Sequence, residues 1–506
     1  MGLFRTRSAA VCGIDAHLVD VEVDLFSSGS SRDFVTVGMP DAAVRESRER
    51  IKSALANSGF GYPSKAITIN LAPANLRKEG PGFDLPMALG ILGAMGTLKL
   101  SEPSLVVGEL SLDGAVRPVR GVLSIAVCAR RSGIKRLMVP RENAMEAAVV
   151  EGLDVFGVDH IGQAVDVLNQ PEKHSPLRHT VNLQSRNGIG FPDFGEVRGQ
   201  TTAKRALEVA AAGNHNVLMV GPPGSGKTML AKRLAGILPP LTFAEAVEAT
   251  QVHSVCGIMP VGKALLEERP FRSPHHTVSD AGLIGGGSGT PRPGEVSLAH
   301  NGILFLDELP EFSRYVLEQL RQPLEEGSVT LARSNASMCF PARVMLVAAM
   351  NPCQCGFYGD TTRECRCTGA IIQRYLGKIS GPLLDRIDLH IEVPAVPYKE
   401  LRSNEAVTTS EQMKERVLKA REVQSARGFN NSIAPPGELR KLAALDDAGE
   451  RTLEMAIRKL GLSARAHDRI LRVARTIADL SGAGNVLGKH VAEAVQYRSL
   501  DRSYWN

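Results

Sequence analysis

Through the middle of the chain, short runs of wholly apolar residues alternate with stretches of helical periodicity. Val217–Val220, Ile303–Leu306 and Val344–Ala348 contain no polar position to mark a solvent side. They read as strands of a parallel sheet covered on both faces. Thr202–Ala212 and Tyr315–Glu325 are periodic enough to supply covering helices. Beyond residue 405 the pattern is helical alone, over Ser410–Arg427, Gly437–Ala444, Ala448–Leu460, Ser463–Leu480 and Gly488–Tyr497. Val329–Arg333 and Met338–Phe340 read as a hairpin with Ser334, Asn335 and Ala336 at its turn. The polar, aperiodic residues 171–190 read as a linker, and a second seam lies near Pro394–Asn404. The predicted parts are therefore 1–170, the linker 171–190, 191–395 and 405–506. No solenoid repeat is visible.

The first of these strands runs into Gly221-Pro222-Pro223-Gly224-Ser225-Gly226-Lys227-Thr228. Glycines there let backbone N–H groups turn inward around phosphates, Lys227 supplies positive charge at the β and γ oxygens, and Thr228 offers a hydroxyl to Mg²⁺. Such a loop between a strand and a helix predicts a nucleoside triphosphate, ATP, as ligand. The run Ile303–Leu306 ends in Asp307-Glu308. One carboxylate can hold Mg²⁺ while the other polarises the attacking water.

With 506 residues the chain has room for roughly three domains. At 43% hydrophobic residues it reads as a water-soluble protein, expected in the cytoplasm. The most apolar stretch, Leu85–Leu98, is too short to span a bilayer and is interrupted by Pro86 and small residues, so it is read as core. The N-terminus lacks a hydrophobic signal core. Net charge is +5, and residues 401–506, with 18 Lys and Arg against 13 Asp and Glu, carry that excess. It suits either a nucleic-acid footprint or a solvated helical surface. Of eight cysteines, Cys12, Cys128, Cys256 and Cys339 are scattered among apolar neighbours. Cys353, Cys355, Cys365 and Cys367 form two C-x-C pairs nine residues apart. Four soft thiolates so grouped suit a tetrahedral structural Zn²⁺, with a disulfide, redox switching or unligated thiols as the alternatives.

From residue 191 onward these motifs resemble the AAA+ ATPases, and among them the magnesium-chelatase-like branch with an insert in its second helix. The resemblance implies that Asn351, ending the run Ala348-Ala349-Met350, is sensor 1 and positions water against the γ-phosphate. It implies that Arg386, in Leu383-Leu384-Asp385-Arg386-Ile387-Asp388, is an arginine finger reaching a neighbouring subunit's nucleotide. Arg465, in Gly461-Leu462-Ser463-Ala464-Arg465, becomes the sensor 2 candidate. A finger supplied in trans makes hydrolysis depend on assembly, so a hexameric ring is expected. The extended Gly- and Pro-rich segment between Lys227 and Asp307 corresponds to the insert, which in this branch points into the pore with the hairpin after it. Arg333 is the candidate for a contact to a nucleic-acid backbone. Adjacent His275 and His276 are expected to point different ways, against a shared metal.

The first 170 residues resemble the ribosomal-S5-like α+β domain of Lon proteases, through Lys78-Glu79-Gly80-Pro81-Gly82-Phe83-Asp84, Val107–Gly114 and Arg120–Leu123. Gly82 and Leu123 stand where a Lon-type site carries its serine and lysine, so a Ser-Lys mechanism is impossible here. Lys65, Arg77 and Lys78 are candidates for nucleic-acid contact, or plain surface charge. As a whole the chain resembles the YifB/ComM family. That resemblance implies an α/β multi-domain ATPase that acts as a helicase and branch-migration motor on single-stranded and branched DNA during natural transformation, with possible recombination proteins as partners. A protein-remodelling chaperone and a chelatase-type motor subunit remain as alternatives.

Overall fold

The computed structural model describes residues 2–27, 34–98, 102–178, 190–260, 262–287, 290–333, 336–360, 363–397, 400, 407–460, 463–500 and 504. They gather into two compact units that do not follow chain order. One holds Met1–Asn182, Phe243–Glu267 and Ala332–Phe340; the other holds Leu183–Thr242, Glu268–Leu331 and Pro341–Asn506. Most of the stretch read as a linker, 179–189, lies outside the described residues. Among the described residues no helix is long and apolar enough to cross a membrane.

The first unit is built on a seven-stranded mixed sheet. Its strands are β1 (Gly2–Cys12), β2 (Asp15–Phe26), β3 (Phe34–Val37), β4 (Ala66–Ala72), β5 (Ser104–Val106), β6 (Arg136–Pro140) and β7 (Asp154–Val158), in the order β3-β4-β2-β1-β5-β6-β7. β1 and β2 form a long antiparallel pair, and β5, β6 and β7 run parallel. Val19, Val21, Val23 and Leu25 face the core while Asp20, Glu22 and Asp24 alternate outward, as a half-buried strand requires. The apolar stretch from Leu85 becomes a helix, Asp84–Ala94, buried on every side through Gly93. Its glycines explain how closely it lies on the sheet: a Cβ on Gly93 would fall 2.3 Å from the Phe4 ring, and one on Gly90 2.6 Å from Val23. Buried Asp84 accepts from the Ser47 hydroxyl and from Arg50 Nε at 2.6 Å. Burial raises its pKa, with Arg50 and Ser47 opposing.

Two sequence expectations are corrected here. Lys78 is not a surface charge: it is fully buried and its amine donates to the Pro73 carbonyl, so it cannot meet a nucleic acid. Burial pushes that amine's pKa down. Helix Phe243–Cys256, which lies between two ATPase motifs in the sequence, packs instead on helix Val122–Arg131 of the first unit. Ser254 O accepts from the Gly121 N–H at 3.2 Å, and the Ser254 hydroxyl donates to buried Glu146, which also accepts from Leu123 N at 2.9 Å. The position of the missing lysine is thus occupied by a buried leucine.

The second unit carries a five-stranded sheet of β8 (Val217–Val220), β9 (Phe271–Arg272), β10 (Ile303–Leu306), β11 (Met345–Met350) and β12 (Leu389–Glu392), ordered β9-β10-β11-β8-β12 and parallel throughout. Successive residues of one strand feed two different cores. Val217, Met219, Phe305 and Val347 pack with helices Thr201–Gly213, Lys227–Ile237 and the C-terminal helices. Leu218, Val220, Leu306 and Leu346 pack with Phe312, Leu317, Ile372 and Leu383. The C-terminal helices run Ser410–Arg427, Pro436–Leu442, Asp447–Leu460, Ala464–Leu480 and Gly488–Gln496, close to expectation. The stretch expected as one helix over Tyr315–Glu325 is two, Arg314–Gln319 and Arg321–Glu326. Pro323 has no N–H to give the preceding turn, so the ladder breaks there.

One buried carboxylate joins the sheet to the C-terminal helices. Asp388, just before β12, receives Arg469 on one oxygen, and His215 Nδ1 at 3.3 Å and Asn216 N at 3.2 Å on the other. Burial alone would raise its pKa, but Arg469 and His215 outweigh that and hold it well below the usual carboxylate range. Because the folded value is depressed, the contribution is present above about pH 3.9 and lost as pH falls through the folded value. Asp388→Asn leaves Arg469 without its counter-charge. It should cost about 3–5 kcal/mol in urea unfolding at neutral pH, and the penalty should shrink in acid.

Candidate active site

Every candidate nucleotide-site residue in the sheet's neighbourhood sits past the carboxyl end of a parallel strand, where open α/β sheets bind ligands. β8 ends at Val220, and the loop Gly221–Gly226 follows before Lys227 starts its helix. Gly221 is forced by crowding, since a Cβ there would fall 2.1 Å from the Val393 carbonyl. Gly224 and Gly226 adopt φ of +77° and +88°, which glycine alone takes readily. Lys227 is 8% exposed, and its amine donates to Gly221 O at 2.7 Å, Pro222 O at 2.9 Å and Asn351 Oδ1 at 3.2 Å. Burial lowers its pKa, with Asp307 and Glu308 opposing.

β10 ends beside β8's loop and brings the acidic pair to it. The Thr228 hydroxyl donates to Asp307 Oδ2 at 2.6 Å. A hydroxyl and a carboxylate so close are the hard oxygen donors that fit Mg²⁺. Glu308 stands in the left-handed region at φ +53°, and its Oε2 lies 3.4 Å from His276 Nδ1. The histidines were expected to diverge; instead the rings of His275 and His276 lie together, centroids 4.1 Å apart at 34°. Gln200, missed in the sequence, donates its amide to Ser225 O at 2.6 Å and so braces the phosphate loop. Its signal was the unusual Arg198-Gly199-Gln200 immediately before a helix.

The candidate arginines lie at a second locus. Arg386 is 8% exposed, with Nη1 on Pro382 O at 2.7 Å and Nη2 on Glu325. That bond lowers the pKa of Glu325, and the charge of exposed Arg465 adds to it. Arg386 is therefore paired with a carboxylate, Glu325, that the sequence did not single out. Arg333 ends the strand Ser328–Arg333, and residues 334–335 at the expected turn lie outside the described residues.

The four clustered cysteines come together directly after Asn351. All four sulfurs lie within 4.8 Å of one another, with Cys353 to Cys355, Cys365 to Cys353 and Cys355 to Cys365 at 3.3, 3.7 and 3.6 Å. Four sulfurs at 2.3 Å from one ion would be separated by about 3.8 Å, so the cluster fits a tetrahedral metal. The backbone N–H of Phe357 draws the Cys355 thiol down to about 6, against the effect of burial. Between the pairs, Gly356 at φ +87° lies on the phosphate loop: a Cβ there would come 2.4 Å from Pro223 Cδ.

A phosphate loop, an acidic strand end, a polar strand end beside them and a helical C-terminal region define a magnesium-chelatase-type AAA+ ATPase. Residues 193–401 match the family described as magnesium chelatase, subunit ChlI; residues 21–143 match a second ChlI family, and 407–498 match the ChlI C-terminal family. The competence protein ComM of Haemophilus influenzae is 45% identical over 99% of this chain and 98% of its own length. YifB of Escherichia coli is 43% identical over 99% and 98%. Lon protease 2 of Bacillus subtilis is 28% identical over 28% of this chain and 26% of its own length. The chain belongs to the YifB/ComM family.

Gly356→Ala tests how far the cysteine loop supports the nucleotide loop. Left-handed strain of about 1–2 kcal/mol and the clash with Pro223 should weaken ATP binding about tenfold, measured by calorimetry. Unchanged affinity would separate the two loops.

Proposed function

We propose that this chain is an ATP-hydrolysing motor that works in the cytoplasm as a homo-hexameric ring on single-stranded and branched DNA. In this reading it drives branch migration while an incoming strand is integrated during natural transformation. The observation that carries the ATPase part is the single cluster of Lys227, Asn351, Thr228 and Asp307 at the end of a parallel sheet. Full-length similarity to a competence protein supports DNA as the polymer.

Each residue then has a task. Gly221–Gly226 and Lys227 cradle the phosphates, Thr228 and Asp307 hold Mg²⁺, Glu308 polarises water and Asn351 orients it. Arg386 reaches the nucleotide of a neighbouring subunit as an arginine finger, Arg465 serves as sensor 2, and Arg333 grips the DNA backbone. Zn²⁺ in the four-cysteine cluster is structural. Phosphoryl transfer needs in-line geometry and positive charge more than covalent help, so loss of Arg386 should cost about 10³–10⁵ in rate. A fully active monomer would overturn the ring.

ATP hydrolysis with and without single-stranded and forked DNA tests the whole reading, with Lys227→Ala as the blank. DNA should stimulate the wild-type protein, the blank should lose about 10²–10³-fold, and a labelled three-strand junction should move only with ATP. Stimulation should fall steeply with salt if the backbone is gripped. Activity indifferent to DNA, with bound polypeptide instead, would favour protein remodelling. Separately, Cys353→Ser with Cys365→Ser should release about one zinc per chain and lower the melting temperature. Metal-free protein with unchanged melting and ATPase would refute a structural zinc.

A further inference from the structure

The segment that carries Arg386 is held at three consecutive residues. The Arg386 carbonyl accepts from Asn216 Nδ2 at 2.9 Å, the Ile387 carbonyl accepts from Arg498 Nη1 at 2.6 Å, and the Asp388 carboxylate takes Arg469 and His215. Asn216 contributes most of the bonds. Its backbone N–H donates to Asp388 Oδ2 at 3.2 Å, and its carbonyl accepts from Asp388 N at 3.0 Å and from Leu389 N at 3.1 Å. Its side chain also accepts from Leu346 N at 2.8 Å, near the start of β11. A side chain that must donate to one carbonyl and accept from one N–H needs both functions on a short stem, which an amide supplies.

The head group of the same arginine is held differently. Nη1 donates to Pro382 O at 2.7 Å, four residues back, and Nη2 donates to Glu325, whose side chain is 61% exposed. An ion pair open to water is worth little, so this one yields to a phosphate at small cost. The backbone is thus fixed while the guanidinium can change partners.

Asn216 directly precedes β8, and the phosphate loop directly follows it. Four strand residues, Val217–Val220, separate the loop that cradles a subunit's own nucleotide from the side chain that holds the Arg386 backbone. Backbone pairing sets that spacing, because β8 lies between β11 and β12 with Val217 beside both Val347 and Leu389. We infer that Asn216 is a positioning residue for Arg386, so that the strand bearing a subunit's phosphate loop also sets the arginine lent to its neighbour. The inference rests on Arg386 acting in trans, as proposed above. Asn216 stands at the opposite end of β8 from the phosphate loop, and it therefore acts on hydrolysis through Arg386 and not by touching its own subunit's nucleotide.

The test uses full-length chains, alone and mixed. Asn216→Ala should lower kcat about tenfold with KM for ATP unchanged, a smaller loss than that of Arg386→Ala because the arginine is displaced and not removed. Mixed with Lys227→Ala chains, which keep a well-placed Arg386 but lack the phosphate-loop amine, the variant should recover activity well above the sum of the two alone. A defect of folding would not be rescued that way. Should melting show that the alanine variant fails to fold, Asn216→Asp carries the same test, since it keeps the acceptor for Leu346 N and loses only the donor to Arg386. Unchanged kcat, a raised KM, or a mixture that reaches only the sum overturns the positioning role. Arg386→Ala mixed with Lys227→Ala separates the two readings: no recovery there removes Arg386 as an arginine supplied in trans, whatever Asn216 does.

Discussion

A carboxylate without access to water must be matched by charge and hydrogen bonds from its own surroundings, and Asp388 meets that demand by drawing on two distant parts of the second unit. Arg469 comes from a C-terminal helix, His215 from the end of the helix before β8, and Asn216 from the residue just before β8. Asn216 then donates from its side chain to the Arg386 carbonyl at 2.9 Å and accepts from Leu346 N at 2.8 Å. Strand order, helical docking and the backbone of the arginine segment are thus fixed by one desolvated charge. Asp479 repeats the device within the helical part, taking Arg427 at 2.9 Å on each oxygen and Asn431 at 2.8 Å. Pairs of this kind add little net stability, but they penalise any arrangement that leaves a partner behind.

The nucleotide site depends on that fixed sheet. Four strand ends deliver the phosphate loop, Asp307, Asn351 and the Val393 carbonyl to one edge, and each is placed by backbone pairing before any side chain is considered. The apolar strands can be so short because both faces are buried; two cores hold what length does not. The cysteine loop then closes over the phosphate loop from just beyond Asn351, so the two share a contact at Gly356 and Pro223.

What was legible in the sequence was local. The strands β8 and β10 were readable because a doubly covered strand is a continuous apolar run, and the phosphate loop because its glycines and lysine act within eight residues. The C-terminal helices were readable from periodicity, while the structure adds the caps Thr409 and Ser463 at two of their starts. The break at Pro323 had a visible signal that the surrounding periodicity outweighed. Other features depend on contacts far apart in the chain. Asp388 and Arg469 are separated by 81 residues, and nothing near either names the other. Lys78 looked like surface charge because lysine usually is; its burial follows from the Pro73 carbonyl that receives it. His276 and Glu308 meet only because β9 and β10 are neighbours, which neither segment reveals alone.

The first compact unit draws on residues 243–267 and 332–340 as well as its own N-terminal stretch. This sets an order of events during synthesis. When residue 182 leaves the ribosome the N-terminal sheet is complete, but helix Val122–Arg131 still lacks the helix that covers it, and Glu146 lacks the Ser254 hydroxyl. At ordinary elongation rates that apolar face stays uncovered for several seconds. The nascent chain therefore passes through a stage in which a nearly finished sheet waits for a helix encoded beyond the phosphate loop. A ribosome stalled between the two would expose a sticky surface that the finished protein never shows.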